Sequence, residues 1–181
     1  MDQYRKTPRA KFLDYDGGDY FVTICTRHRK HYFGDIYNNK MHLSKIGEFI
    51  ELQLISASGF CKEITVPLFV VMPNHIHAIV SVKAQKIPLT CFAGNTLQRS
   101  PNPSLRANST CQRHVPTLSR YISSLKGAVT KFARSIGLDF AWQGRYHDHL
   151  IRGNRDGNNI AEYIMNNVTK WPDDCFYQNE I

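Results

Sequence analysis

Two apolar runs in the middle of the chain, LFVVM (68–72) and HIHAIVSV (75–82), are separated only by Pro73-Asn74. Proline and asparagine are turn residues, so this pattern predicts two antiparallel strands joined by a tight hairpin. Successive side chains of a strand point to opposite faces, so His75 and His77 share one face and the aliphatic residues between and after them take the other. The hairpin therefore predicts a sheet with one apolar face and one face that carries two histidines.

The rest of the chain supplies the partners of this hairpin. A β-branched and aromatic run at 19–28 predicts a first strand, and a shorter strand is expected at 36–43. Ser44 can cap a helix that Gly59 would end, and the clearest helical stripe runs from 118 to 136, before Gly137. A strand-like segment lies within 140–152, and a last helix is expected from about Asn158.

This order of elements predicts a fold class. Strand, helix, strand, strand, helix and strand, followed by one more helix, is the order of an α+β, ferredoxin-like antiparallel sheet with two helices on one face. The extra C-terminal helix is expected on the other face. A chain of 181 residues is long enough for one domain with a real core, so a single domain over 1–181 is expected.

One long segment, about 83–116, departs from this regular pattern. It is rich in Pro, Ser, Asn and Arg and has no sustained period, which predicts an irregular insertion. Its Arg99, Arg106 and Arg113 are either DNA-binding residues or surface decoration.

The charge balance favours a polyanionic partner. Lys and Arg total 23 against 15 Asp and Glu, a net charge of +8, which makes nucleic acid the first candidate, although an ordinary solvated basic surface has the same composition. The five cysteines form no CxxC pair, which fits a reducing compartment. The N-terminus has no apolar leader segment and no stretch reaches the length of a membrane span, so a cytoplasmic protein without a membrane partner is expected.

The two histidines are the first candidate ligands. Their Cβ atoms would lie roughly 7 Å apart on one strand face, a spacing at which two imidazoles can bind one divalent ion. A hydrogen-bonded histidine pair is an equally good interpretation. On the last helix, Tyr163 and Asn167 are four residues apart and lie on one face. If that helix covers the open sheet face, the Asn167 oxygen becomes a third ligand and Tyr163 a nucleophile for a phosphodiester, whereas Tyr163 could also be a plain core aromatic.

Several phrases resemble one protein family. VVMPNHIHAIV is similar to the HUH motif of single-tyrosine transposases, particularly the REP-associated tyrosine transposases, and YFVTICTRHRKHYFG, WQGRYHDHLIR and IAEYIMNNVTKW extend the resemblance over most of the chain. The resemblance implies that His75 and His77 bind Mg²⁺ or Mn²⁺, with Asn167 completing the site, and that Tyr163 forms a 5′-phosphotyrosine link to single-stranded DNA. Family members commonly carry Asn-Pro where this chain has Asn167-Val168, and a valine lets the helix continue.

Further residues are candidates for DNA contact. HDH at 147–149 is a second spaced histidine pair, for which a zinc site of four histidines is conceivable, but the resemblance assigns it to the region beside the active site. Trp142 is expected in the core. Basic side chains on the second helix either contact phosphates or form a solvated face. The candidate DNA-binding residues are Arg27, Lys126, Lys131, Arg134, Gln143, Arg145, His149 and Arg152.

The expected function is metal-dependent cleavage and transfer of single-stranded DNA at hairpin-containing sites, as in DNA transposition or recombination. Two alternatives stay open: a non-catalytic nucleic-acid-binding module, and a histidine-ligated phosphodiesterase that uses water. Binding modules of this fold present aromatic side chains on the open sheet, where this chain has histidines. A mobile element's transposase and a domesticated relative would share all these residues. The family resemblance also implies a homodimer that can exchange the tyrosine helix between its subunits.

Overall fold

A computed structural model of the chain describes residues 17–83 and 117–177. Residues 84–116 of the predicted insertion, with Arg99, Arg106 and Arg113, lie outside the described residues. In chain order the elements are β1 (Gly18–Cys25), β2 (Gly34–Tyr37), β3 (Lys40–Leu43), α1 (Lys45–Ile55), α2 (Ala57–Phe60), β4 (Ile64–Val71), β5 (His75–Val82), α3 (Leu118–Ser135), β6 (His147–Leu150) and α4 (Gly153–Asn166).

The main sheet has four antiparallel strands in the order β4-β5-β1-β6. The predicted hairpin is confirmed: β4 and β5 pair with Val71 opposite Ile76, and Pro73 and Asn74 lie in the turn between them. β4 begins at Ile64, four residues before the predicted run, and its register shifts between Thr65 and Leu68. With α1 between β1 and β4 and α3 between β5 and β6, the predicted α+β, ferredoxin-like arrangement is confirmed.

The core lies between one face of this sheet and the two helices α1 and α3. Side chains that alternate along the strands, such as Ile76 and Val80 on β5 and Val22 on β1, are buried together with Ile50 of α1 and Val129 of α3. Each is at most 1% exposed. The two-residue period of the strands therefore leaves the intervening positions of β5, which include both histidines, on the opposite face.

The helix ends follow local chemistry. The Ser44 side chain accepts a hydrogen bond from the Gly47 N–H, and the Thr117 side chain accepts one from the Arg120 N–H, so each helix starts with the expected capping oxygen. Gly137 follows α3 at φ 72°, the left-handed conformation that favours glycine. The predicted end of the first helix at Gly59 is wrong, because α1 ends at Ile55 and the short α2 follows after Ser56.

Three further details correct the sequence-based expectations. Residues 36–43, expected as one strand, instead contain the end of β2, a turn and β3 of a separate hairpin, because Asn38 and Asn39 adopt φ 52° and 57° and reverse the chain. The last helix starts at Gly153 and not near Asn158, because the Asp156 carboxylate accepts the free Arg152 N–H at 2.9 Å. It ends at Asn166, so Val168 lies in the turn that follows and does not extend the helix.

Within the parts of the chain that the structure covers, no helix combines the length and apolarity needed to cross a membrane.

Candidate active site

His75 and His77 lie side by side on the face of the sheet opposite α1 and α3. In the register of the sheet His77 is opposite Thr23, and His75 is opposite Cys25. The imidazole rings are 4.5 Å apart, and both residues are buried, at 0% and 2% exposure. Helix α4 and the segment that follows it bury the two histidines. The ring of Phe176, in that segment, lies 4.6 Å from the ring of His75. The predicted placement of a last helix over the histidine face is confirmed.

The hydrogen bonds of Asn74 define which nitrogen of His75 is free. The Asn74 amide nitrogen donates to the main-chain oxygens of Arg29 and Phe176, at 3.0 and 2.9 Å. Its oxygen, 2.8 Å from Nδ1 of His75, must therefore be the acceptor, and Nδ1 the donor. Nε2 of His75 then carries a lone pair, and this buried atom has no hydrogen-bond partner among the described residues.

His77 is oriented in the same way. Its Nδ1 lies 2.9 Å from the Thr23 hydroxyl oxygen, and its Nε2 lies 3.2 Å from the hydroxyl oxygen of Tyr163. The ring of Phe21 stacks on the imidazole at 5.3 Å. An imidazole that is held through Nδ1 and presents Nε2 is the common arrangement of a metal-binding histidine.

Burial keeps both imidazoles neutral. It lowers the pKa of His75 well below its ordinary value, and the neighbouring His77 and Arg29 lower this pKa further. Burial lowers the pKa of His77 to about 3. Neutral imidazole is the form that binds a metal ion, so the two histidines do not have to lose a proton first.

Asn167 and Tyr163 reach the same place from α4. Asn167 is 3% exposed, and its amide oxygen is buried with no hydrogen-bond partner in the part of the chain that the structure covers. A buried amide oxygen without a partner costs free energy unless something else binds it. The orphaned Asn167 oxygen and the orphaned His75 Nε2 are therefore the kinds of atom that a divalent cation would bind.

Asp174, which sequence analysis did not single out, is the third member of a metal-binding grouping. One ligand atom from each of His75, His77 and Asp174 lies within 4.8 Å of the other two. The Asp174 carboxylate also lies 3.4 Å from the amide nitrogen of Asn167. No pattern signals this residue, because it follows the last helix and reaches the histidines only through the path of the chain after Asn167. These three residues could hold a metal ion.

Tyr163 is the nucleophile candidate at this site. It is 44% exposed, while its hydroxyl oxygen faces His77. Burial raises the pKa of the phenol, the Asp174 carboxylate raises it further, and a hydrogen bond from Asn167 acts in the opposite direction. At neutral pH the side chain is therefore a phenol, and a nearby positive charge or a base is needed to activate it as a nucleophile.

Two pockets that share lining residues lie on this side of the protein, and Tyr163 lines the first of them. One, of about 490 Å³, is lined by residues that include His77, Tyr163, Gln143 and Arg145. A second, of about 700 Å³, is lined by Arg27, His28, Arg29, Ala141, Trp142, Gln143 and Gly144. Arg29, Gln143 and Gly144 line both, so a surface of basic, amide and aromatic side chains leads away from the tyrosine.

Comparison with known sequences shows one family to which the chain belongs. No protein-family model matches the sequence. Over 176 residues the chain is 30% identical to a Haemophilus influenzae (strain Rd) protein described as uncharacterized, with 96% of this chain and 93% of the relative covered. The chain belongs to the family of this protein.

A solved structure identifies the fold of this family. The REP-associated tyrosine transposase, solved bound to a REP hairpin, superposes with a TM-score of 0.52 at 20% identity, covering 94% of this chain and 74% of that one. The chain therefore has the fold of the REP-associated tyrosine transposases. The HUH transposases, which the sequence resembles, use divalent metals. Nε2 of His75 and the side-chain oxygen of Asn167, which have no partner among the described residues, are suitable ligands for such an ion.

On this transposase fold the candidate DNA-binding residues separate into groups. Arg27, Gln143 and Arg145 line the two pockets. Lys131 and Arg134 are exposed on α3, which packs on the sheet face away from the histidines. The structure does not bring these two to the site.

The other candidates have structural contacts. The Lys126 ammonium donates to the main-chain oxygens of Gln143 and Arg145, both at 2.9 Å, so it holds the loop that lines the pockets. His149 binds the Asp156 carboxylate at 3.0 Å, and Arg152 precedes the first residue of α4. Trp142, expected in the core, is partly buried against it.

Proposed function

We propose that this protein cleaves single-stranded DNA beside a hairpin and transfers one end, with Tyr163 as the nucleophile and Mg²⁺ or Mn²⁺ bound by His75, His77 and Asn167. The observation that carries the proposal is the pair of buried atoms without a partner among the described residues, Nε2 of His75 and the side-chain oxygen of Asn167, at a site where the Tyr163 hydroxyl lies 3.2 Å from Nε2 of His77. Each atom has a lone pair and no described partner, which is unfavourable in a protein without a ligand there.

The reaction follows from these positions. The Tyr163 oxygen attacks the phosphorus, the bond between phosphorus and the 3′-oxygen of the preceding nucleotide breaks, and the phenol proton ends on that 3′-oxygen. The products are a 5′-phosphotyrosine and a free 3′-hydroxyl, so one phosphodiester replaces another and a second 3′-hydroxyl can reverse the step. When bound, a divalent cation would neutralise the phosphate and lower the pKa of the phenol.

The residues around Tyr163 suit a single strand. Bases of unpaired DNA stack on aromatic side chains while basic side chains contact the backbone. The two pockets offer both, with Trp142 and Tyr146 beside Arg27, Arg29 and Arg145. The solved relative of this fold is bound to a REP hairpin, which supports a DNA hairpin as the partner of this chain as well.

The test is a denaturing gel of the purified chain with hairpin oligonucleotides labelled at the 3′ end, taken from DNA that flanks its own gene, with Mn²⁺ or EDTA. A 5′-phosphotyrosine leaves the 3′-labelled fragment on the protein, so we expect a slow labelled band that Tyr163→Phe, His75→Ala and EDTA each abolish. Tyr146→Phe is the matched control, because Tyr146 lines the same pocket but its hydroxyl is 2.8 Å from that of Ser119.

The two alternative functions predict different results in these experiments. Cleavage that survives Tyr163→Phe without a labelled protein band would support a phosphodiesterase that uses water. Hairpin DNA that is retarded on a native gel, with neither cleavage nor a labelled protein band on the denaturing gel for any of these hairpins with Mn²⁺, would support a non-catalytic binding module. Either result would overturn the tyrosine mechanism.

A further inference from the structure

The segment that follows α4 is fixed to the sheet at several points. The Asn74 amide donates to the Phe176 main-chain oxygen at 2.9 Å, and the Arg29 guanidinium lies 5.0 Å from the centre of the Phe176 ring. Arg29 also donates to the Cys175 main-chain oxygen. Trp171, at 4% exposure, packs its ring 5.9 Å from that of His75. These contacts place residues 171–176 directly beside the two histidines.

Asp174 lies between these anchors, and its two carboxylate oxygens face different ways. Oδ1 accepts the Phe176 N–H at 2.7 Å, which fixes the carboxylate on its own segment. Oδ2 lies 3.4 Å from the Asn167 amide nitrogen. A carboxylate oxygen of Asp174 also lies within 4.8 Å of a ring nitrogen of His75 and of His77.

This spacing is close to what one cation requires. Two ligand atoms that bind Mg²⁺ at about 2.1 Å are separated by up to about 4.2 Å. The atoms of His75, His77 and Asp174, each within 4.8 Å of the others, need only a small side-chain adjustment to meet that limit.

The charge of the site gives a reason for a carboxylate here. The two imidazoles are neutral, and the Asn167 amide carries no charge, so the ligand set that the sequence resemblance implies offers no negative charge to a divalent cation. Asp174 makes no ion pair among the residues that the structure describes. Mg²⁺ and Mn²⁺ favour oxygen ligands, and carboxylates in particular, so Asp174 supplies what the other ligands lack.

We propose that Asp174 is a further ligand of the metal ion, and that metal binding and docking of the segment 171–176 therefore stabilise each other. This inference rests on the proposed function only in requiring that His75 and His77 bind a metal. Because binding couplings are reciprocal, a metal that uses Asp174 must also hold the segment more firmly in place.

The test is Mn²⁺ binding to the full-length chain, measured by isothermal titration calorimetry and by electron paramagnetic resonance, in four proteins: wild type, Asp174→Asn, Asp173→Asn and His75→Ala. Asp173 is the matched control, since it is an exposed neighbouring carboxylate. We expect Asp174→Asn to weaken Mn²⁺ binding at least tenfold and Asp173→Asn to leave it within twofold. Equal affinities for Asp174→Asn and Asp173→Asn would overturn the inference. If His75→Ala lost Mn²⁺ binding in the same experiment, the metal centre of the proposed function would still be supported.

Hydrogen exchange gives a second, independent measurement. Mg²⁺ should slow exchange of the backbone amides of 174–177 in wild type and in Asp173→Asn, but not in Asp174→Asn. The exchange rates of the remaining amides show in the same experiment whether Asp174→Asn is folded. A wild type that binds neither metal, or binds it equally well after His75→Ala, would overturn both this inference and the metal centre of the proposed function.

Discussion

The side-chain oxygen of Asn74 lies 2.8 Å from Nδ1 of His75, and the amide nitrogen of Asn74 is used by two main-chain oxygens. Asn74 cannot rotate its amide without placing two donors or two acceptors against each other. It therefore holds the proton of His75 on Nδ1 and keeps the lone pair of Nε2 directed at the site.

Asn74→Ala is expected to weaken Mn²⁺ binding 10- to 100-fold, the usual effect of losing the partner that orients a metal-binding histidine. The same change frees the Phe176 main-chain oxygen, so exchange of the amides near Phe176 should also become faster. Asn158→Ala is the control, because Asn158 is exposed on α4. Calorimetry on the three proteins measures the effect, and equal affinities would show that Asn74 does not orient His75.

The side of the sheet on which a basic residue lies should determine its effect on DNA binding. Arg27→Ala removes a charge from the pocket that is lined by Trp142 and Gln143, and Lys131→Ala removes one from the exposed side of α3. We expect Arg27→Ala to weaken binding of a single-stranded oligonucleotide and to lower the slope of log affinity against log salt by roughly 0.7. Lys131→Ala should leave both close to wild type in fluorescence anisotropy titrations. Equal losses in both variants would mean that DNA follows a different path.

The Asp156 carboxylate closes the start of α4 by accepting from the Arg152 N–H and from His149, and both bonds lower its pKa. Asp156→Ala should therefore loosen the first turn of the helix that carries Tyr163. We expect faster hydrogen exchange at 153–157, a slower rate of adduct formation and an unchanged Mn²⁺ affinity. The exposed Glu162 offers Glu162→Ala as the control. A wild-type rate of adduct formation in Asp156→Ala would show that the Asp156 contacts at the start of α4 do not affect catalysis.

Tyr121 on α3 predicts a pH dependence of stability away from the site. Its hydroxyl is buried with no hydrogen-bond partner among the described residues, and burial raises its pKa from 10.0 to about 12. Tyr121→Phe should raise the free energy of unfolding by about 1 kcal/mol at pH 7.

Above pH 10 the unfolded chain loses the Tyr121 proton while the folded chain keeps it until about pH 12, so wild type is destabilised as the pH rises. The gap between wild type and Tyr121→Phe should widen by up to about 3 kcal/mol over this range. Urea unfolding at pH 7, 10 and 11.5 measures this gap. A gap that stays constant with pH would show that folding does not raise the pKa of Tyr121.

Sequence patterns were sufficient for the elements that the core fixes. The alternation in β5 predicted both the hairpin and the shared face of His75 and His77, because a buried face leaves no other register. The stripe on α3 succeeded for the same reason. By contrast, the early start of α4 depends on one carboxylate that reaches back to Arg152, in place of the usual capping residue just before the helix.

The candidate site was predictable only where its residues lie on regular elements. The four-residue spacing of Tyr163 and Asn167 follows from helical geometry, and both do reach the histidine face. Asp174 was missed because the chain after Asn167 has no periodicity, and its approach to His75 depends on Asn74 and Arg29, which are distant in sequence. The contacts by which Lys126 holds the loop at the pockets could not be predicted from the sequence, because its two main-chain acceptors are seen only in the fold.

The central claim is that Tyr163 becomes covalently joined to DNA, and peptide mapping tests it most directly. The protein is incubated with a hairpin oligonucleotide and Mn²⁺, treated with nuclease and trypsin, and analysed by mass spectrometry. Tyr163 and Tyr146 fall in different tryptic peptides, DGNNIAEYIMNNVTK and YHDHLIR. The account predicts a nucleotide adduct on Tyr163 in the first peptide alone. An adduct on Tyr146, or cleaved DNA with no modified tyrosine, would contradict it.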